Sequence, residues 1–181
     1  MKKIFLILFM FLTTIAIAQN KDYILSMDGI GSLKLGMNLT DLEKLLHTKI
    51  TLKVIDVDSV MLAETITVKY KGIDVELDLI KRQGIPTDEV VIDGISTSSP
   101  LCKTKSGLGI GATKLQLIAA YEGYYVDIKP EYTYTDDKAE KSKTKSSITI
   151  KQGEEGYALI FNLLDNKVVS FQIIPIYDDE E

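Results

Sequence analysis

One histidine, one cysteine and a run of three alternating carboxylates are the residues of this chain whose chemistry invites catalysis. A histidine-activated nucleophile needs base, nucleophile and orienting group within reach of one another. His47 instead stands at the end of a short apolar-periodic stretch, where the negative end of a helix favours an imidazolium. A helix-end role is expected of it, not catalysis. Cys102 lies close to Pro100 and to two lysines, Lys103 and Lys105. Nearby positive charge favours a thiolate, but a lone free cysteine more often serves as a small buried hydrophobe. An inert thiol is the expectation, with an intermolecular disulfide or a reactive thiol as the alternatives.

Asp74, Glu76 and Asp78 project from one side of a strand pattern. Two acids held about 5 to 10 Å apart in a cleft can hydrolyse a glycosidic bond. Their strict alternation with Ile73, Val75, Leu77 and Leu79 makes a wet sheet face the simpler reading. Asp56-Val57-Asp58-Ser59 begins like a calcium loop, yet Met61 and Thr67 occupy the places of the required glycine and the bidentate acid. One histidine and one cysteine are too few for a zinc site. Gly107, Gly109 and Gly111 lack the following Gly-Lys-Ser/Thr of a phosphate loop, and close backbone packing at a turn explains them better. No metal or cofactor is expected, and no catalytic residue.

The tyrosines carry a different chemistry. Tyr124, Tyr125, Tyr132 and Tyr134 cluster around a polar stretch that contains Asp136 and Asp137, in a chain without tryptophan. Tyrosine offers a large rigid contact area with a polar tip, which suits it to interfaces. The plainer alternative is that they cover a strand face. These six residues form the candidate protein interface.

The elements that must position these residues follow from periodicity. Leu33-Lys34-Leu35-Gly36-Met37-Asn38-Leu39-Thr40-Asp41-Leu42 returns 75 positions later as Leu108-Gly109-Ile110-Gly111-Ala112-Thr113-Lys114-Leu115-Gln116-Leu117. Each copy runs apolar-x-apolar-Gly, then a helix cap (Asn38, Thr113), then an apolar stripe. Helices are predicted over Thr40–His47 and Lys114–Tyr121. Strands are predicted over Thr51–Val57, Thr65–Tyr70, Ile73–Leu79, Val90–Thr97, Tyr124–Ile128, Ser147–Lys151, Tyr157–Leu163 and Lys167–Ile174. Lys71-Gly72 and Asp165-Asn166 read as hairpin turns, and Pro130–Ser146 as a long polar loop. The endings Ile92-x-x-Ile95-x-Thr97 and Val168-x-x-Phe171-x-Ile173 also match, at an offset of 76. The fold class expected is α+β, two tandem helix-plus-four-stranded antiparallel repeats packed as one compact body. Residues 19–100 would form the first repeat, and 101–181 the second, with the loop 130–146 and an acidic tail Asp178-Asp179-Glu180-Glu181.

Through the two Gly36/Gly111 phrases and the matched strand endings, the chain resembles the β-lactamase inhibitor protein. It also resembles, one unit at a time, the small lipoprotein of the outer-membrane assembly machine. The resemblance spans most of residues 29–175 and implies a fold rather than an activity. The inhibitor carries disulfides that one cysteine cannot form, and the lipoprotein carries an acylated cysteine that has no counterpart here.

Residues 1–18 read as a signal peptide: Lys2 and Lys3, an apolar run Ile4–Ile17, and Ala16-Ile17-Ala18 ahead of Gln19. The apolar run is shorter than a spanning helix needs. A formal net charge of −5 becomes more negative once Lys2 and Lys3 are removed, and no basic cluster interleaved with aromatics points to nucleic acid. Neither nucleic-acid binding nor membrane insertion after signal cleavage is expected. The function expected is an exported, periplasmic or extracellular, non-enzymatic protein-binding module, with an envelope or extracellular protein as its partner. The alternative is a periplasmic carrier of a small ligand at the repeat junction, and a carboxylate-based glycan hydrolase ranks a distant third.

Overall fold

Buried Ile73, Val75, Leu77 and Leu79 alternate with exposed Asp74 and Glu76, and this pattern assigns one face of strand β5 (Ile73–Arg82) to the core and the other to water. The computed structural model describes residues 20–52, 61–82, 90–135, 138–151 and 156–176. Around β5 stand β4 (Met61–Tyr70) and β6 (Val90–Thr97). From the second half of the chain come β8 (Tyr125–Thr135), β9 (Lys138–Lys151), β10 (Gly156–Leu164) and β11 (Lys167–Ile176). These seven form one antiparallel sheet in the order β4-β5-β6-β11-β10-β9-β8. Two tight turns have both central residues at positive φ: Lys71 and Gly72 between β4 and β5, Asp165 and Asn166 between β10 and β11. That geometry matches the right-handed twist of the strands it joins.

A second sheet of four short strands runs β3 (Leu33–Lys34), β2 (Gly29–Ile30), β1 (Ile24–Ser26), β7 (Lys103–Thr104). Its β1–β7 pair is parallel and joins the two halves of the chain. Tyr70 ties it to the large sheet: the ring is buried, and its hydroxyl accepts a hydrogen bond from the Ser32 amide at 3.0 Å. Gly31 sits at φ +55, where a Cβ would collide with the Asp22 carbonyl and the Tyr70 hydroxyl.

Two α-helices complete the layer over the inner face. In α1 (Leu39–Leu46) the Asn38 side chain accepts from the Asp41 amide at 2.8 Å. In α2 (Lys114–Ala120) Thr113 and Gln116 form a reciprocal capping box. Leu42 and Leu117 drop from them into a single core shared with Ile30, Leu33, Leu77, Ile95, Phe161, Phe171 and Ile173. The repeated phrase makes the same bonds in both places. Gly36 and Met37 exchange backbone hydrogen bonds with Ile92, and Gly111 and Ala112 do so with Val168.

The expected α+β class, two tandem helix-plus-four-stranded repeats, is overturned. The described residues are mostly β, 60% strand against 14% helical, and their strands lie in sheets of seven and four. Each helix is about two turns long and cannot cover a sheet of its own. The strands gain more by merging edge to edge across β6 and β11, so that one continuous apolar face is covered by both helices and the small sheet together. The loop expected over 130–146 is also largely strand. Its polar composition hid it, because a ribbon wet on both faces has no alternation of burial to reveal it.

Phe171 packs against Phe161 at 5.7 Å between ring centroids and lies at the β6–β11 seam. Phe171→Ala should cost about 3 to 5 kcal/mol. Gln172→Ala, on the open face of the same strand, should cost less than about 1 kcal/mol. Urea midpoints of the two variants check this, and equal losses would contradict a core confined to one face.

Candidate functional site

Pairing across the large sheet sets one side chain per strand into a continuous row on the open face. Thr67, Glu76, Ser96, Gln172, Ile160, Thr149 and Asp127 follow one another through successive registers. Only Ile160 is apolar. Beside this row Asp74 pairs with Lys69 at 2.7 Å, and Asp78 accepts from the Thr65 hydroxyl at 2.6 Å. Glu76, Ser96 and Ser170 rim a shallow hollow of about 270 Å³ over the seam. The three acids singled out from the sequence thus stand on the wet face, two of them occupied by neighbours on the next strand.

At one end of the sheet the chain leaves its support. β9 pairs with β10 only from Lys145 to Lys151, while β8 and β9 go on pairing outward to Thr135 and Lys138. Residues Glu131–Thr135 and Lys138–Thr144 therefore form a two-stranded ribbon without a third strand beside it among the described residues. Four residues of β9, Ser142 to Lys145, stand opposite Glu131 alone, and this irregularity releases the ribbon from the sheet. There Ser142 Oγ accepts from the Thr144 and Lys145 amides at 3.3 and 2.9 Å. Lys145 meets Glu131 at 3.6 Å across the base. Tyr132 and Tyr134 share one face of this ribbon, opposite Lys141 and Ala139, and are 52% and 78% exposed.

The sequence grouping of tyrosines is divided by the structure. Tyr132 and Tyr134 lie on the ribbon. Tyr125 stands on the sheet proper, opposite Lys151, whose ammonium lies 5.9 Å from the ring centroid. Tyr124 belongs elsewhere, after α2, edge-on to Tyr121 at 5.4 Å. Asp136 and Asp137 lie outside the described residues, as do Asp56–Ser59, the signal segment and the acidic tail. On the edge strand β8, Lys129 binds Asp127 at 2.8 Å. The hydrogen bond and charge of Asp127 push the Lys129 ammonium above its ordinary value. Charged pairs and Pro130 on an edge strand oppose unwanted strand addition.

His47 is the exposed C-cap of α1, in the left-handed conformation at φ 52. Gly107 and Gly111 take positive φ at turns, and a Cβ on Gly109 would press on the Cys102 carbonyl and the Lys103 side chain at 3.0 Å. Backbone geometry thus accounts for all three glycines. Among the described residues no group of three or more histidine, cysteine or acidic side chains converges as metal ligands would, and no helix is long and apolar enough to cross a membrane.

A cavity of about 410 Å³, missed by sequence reasoning, opens where the small sheet meets the end of α2. Leu25 and Leu159 are fully buried at its floor, Tyr121 and Tyr124 form one wall, and Ser26, Asp28, Thr104 and Ser106 supply polar atoms. Burial pushes the Tyr121 hydroxyl above its ordinary value, against a hydrogen bond to Thr104, and the Tyr124 charge adds to the rise. The contributing segments stand far apart in the chain, and no local motif joins them. Comparison with protein families, curated proteins and solved structures finds no match to this chain.

Cys102 is fully buried, and desolvation raises its thiol to about 11 against a weaker opposing hydrogen bond from Ser99. The thiolate nucleophile is therefore scarce at neutral pH. Maleimide should leave the folded protein unlabelled at pH 8 and label it fully in denaturant. Because the folded state holds this proton more tightly, the thiol's contribution is complete below the unfolded value of 9.0. It is lost as pH rises towards 11. Rapid labelling of the native protein would show the site to be open.

Proposed function

We propose that this chain is an exported, non-enzymatic protein-binding module that presents its β8–β9 ribbon to an envelope or extracellular protein. One observation carries the reading: among the described residues, no layer of the protein lies beneath the ribbon's tyrosines. A two-stranded hairpin standing alone is marginally stable in water, and every described side chain from Glu131 to Lys145 is exposed except Ser142, which is half-buried. Tyr132 and Tyr134 therefore add nothing to the protein's own core. Tyrosine on a strand is rigid, with two side-chain torsions to fix, so little conformational entropy opposes its docking. Loss of these rings from water on docking supplies the energy, and the flanking lysines on β9 supply orientation through charge.

The polar row on the open face supports the same reading as a rim. Short hydroxyl and carboxylate side chains exchange water for a partner's polar groups at small cost in side-chain entropy. Export itself rests on the segment Lys2–Ala18, and the absence of a catalytic assignment on the positions of His47 and Cys102 already described.

Immobilised protein should retain a partner from the envelope fraction, and that partner, purified, should bind in solution. Tyr132→Ala combined with Tyr134→Ala should weaken the complex by more than about 30-fold, since central interface tyrosines cost about 2 kcal/mol or more when truncated. The melting temperature should hardly move, because neither ring is buried. An unchanged affinity would remove the ribbon from the interface, and an empty capture would count against the binding module itself.

A further inference from the structure

The cavity beside α2 lies where the two halves of the chain meet, and its chemistry is independent of the ribbon. We infer that it binds a small organic anion, one carboxylate carried on a compact apolar body. Its volume, about 410 Å³, falls within the ~300–1,000 Å³ typical of small-molecule sites. Three properties of the lining select this ligand.

The first is an apolar floor and wall. Leu25 and Leu159 are buried at the floor, and Met27 and Ala120 add further apolar surface. Tyr121 and Tyr124 stand edge to face at 5.4 Å, and Phe161 packs against Tyr121 at 5.9 Å. Taking an apolar body out of water against such a surface supplies affinity without any directed bond.

The second is that the inner hydroxyls of the lining are already spent. Buried Thr104 accepts from the Leu108 amide at 3.1 Å, lies 2.9 Å from Ser106 Oγ and also bonds the Tyr121 hydroxyl. One donor and two acceptor positions are all that a hydroxyl has. Ser26 Oγ donates to Asp28 Oδ1 at 2.6 Å and accepts from Lys34 Nζ at 3.1 Å. An apolar body laid against these satisfied groups strands no buried donor or acceptor. A ligand rich in hydroxyls would find few partners among them.

The third is charge. Asp28 and Lys34 form an ion pair at 2.8 Å and cancel each other. Burial alone would raise the Asp28 carboxyl, but bonds from Lys34 and Ser26 and the Lys34 charge outweigh it and leave it below its ordinary value. The pair is therefore closed at neutral pH, and Lys105 remains over. Lys105 lines the cavity, is exposed, and makes no ion pair with any described residue. It directly follows Thr104, whose pairing with Leu25 sets the backbone beside the cavity floor. One unbalanced positive charge at the rim of an apolar cavity favours one negative charge on the ligand. A neutral hydrocarbon forgoes that attraction, and an ammonium is repelled.

Three ligands with one carbon skeleton test the assignment: hydrocinnamate, the corresponding alcohol and the corresponding ammonium. Each is titrated into the intact protein and followed by amide chemical shifts. Hydrocinnamate should give saturable shifts centred on Leu25, Lys105, Tyr121 and Tyr124. It should bind about fivefold more tightly than the alcohol, the scale of one solvent-exposed ion pair. Lys105→Gln should erase that preference and leave the alcohol unchanged, a split that loss of structure would not produce. Tyr124→Ala should weaken carboxylate and alcohol alike, by about tenfold. Both residues are exposed, so neither change should unfold the protein, and thermal melts verify this. Tyr134→Ala on the ribbon should leave hydrocinnamate binding unchanged, which separates this site from the partner surface. No saturable shift with hydrocinnamate below about 10 mM would overturn the inference. Equal or tighter binding of the alcohol or the ammonium, or a preference that survives Lys105→Gln, would overturn it as well.

Discussion

Three residue pairs hold the architecture together. Thr97, Ser96 and Ile95 of β6 lie against Phe171, Gln172 and Ile173 of β11, and this short ladder is the seam through which two runs of strands become one sheet. The pairing is non-local, so it closes a long loop and costs chain entropy before it returns any stability. Burial offsets that cost. Ile95, Phe171 and Ile173 face the core side by side, and Thr97 sends its hydroxyl to the Asp74 carbonyl at 2.8 Å, so no buried polar atom at the seam goes unpaired. The repeated glycine phrases reinforce it from both sides by bonding the entry of each helix to Ile92 and Val168.

Joining the sheet at its centre has consequences at its periphery. The seven strands offer most of their apolar residues to one side, so the helices and the small sheet need cover only that side. The opposite face stays polar and open. The small sheet is itself built from both halves, through the parallel pairing of β1 with β7, and this brings Ser26 and Asp28 up to Thr104 and Ser106. The cavity beside α2 is a product of that pairing. The ribbon arises at the other limit of the same logic, where β8 and β9 outrun β10 and continue with no neighbouring strand among the described residues. The ribbon and the cavity thus occupy different places in the fold, one an overhang of two strands and the other a product of the packing of the small sheet.

Much of the local structure was legible in the residues. Asn38 and Thr113 cap helices because a short polar side chain there can accept an orphan amide of the first turn. The alternation from Ile73 to Leu79 states which side of β5 is buried. Lys71-Gly72 and Asp165-Asn166 form turns because glycine, asparagine and aspartate tolerate the left-handed region better than other residues. The weak points were those without a burial signal. Glu131–Thr135 and Lys138–Thr144 show no alternation of buried and exposed residues, since both faces of the described ribbon are wet, and so read as a loop. The four short strands of the small sheet are too brief to show any period.

By itself, the sequence determined the helix caps, the hairpin turns, the polarity of the strands and the equivalence of the Gly36 and Gly111 phrases, because each depends on residues a few positions apart. Tertiary structure alone decided that the strands form one sheet of seven instead of two of four, since which edges meet depends on the total apolar area buried. It also separated Tyr124 from Tyr132 and Tyr134, closed Cys102 away from solvent, and drew Asp28 and Ser26 to Thr104 and Tyr121. Such proximities are set by how layers pack, and the local order of residues carries no trace of them.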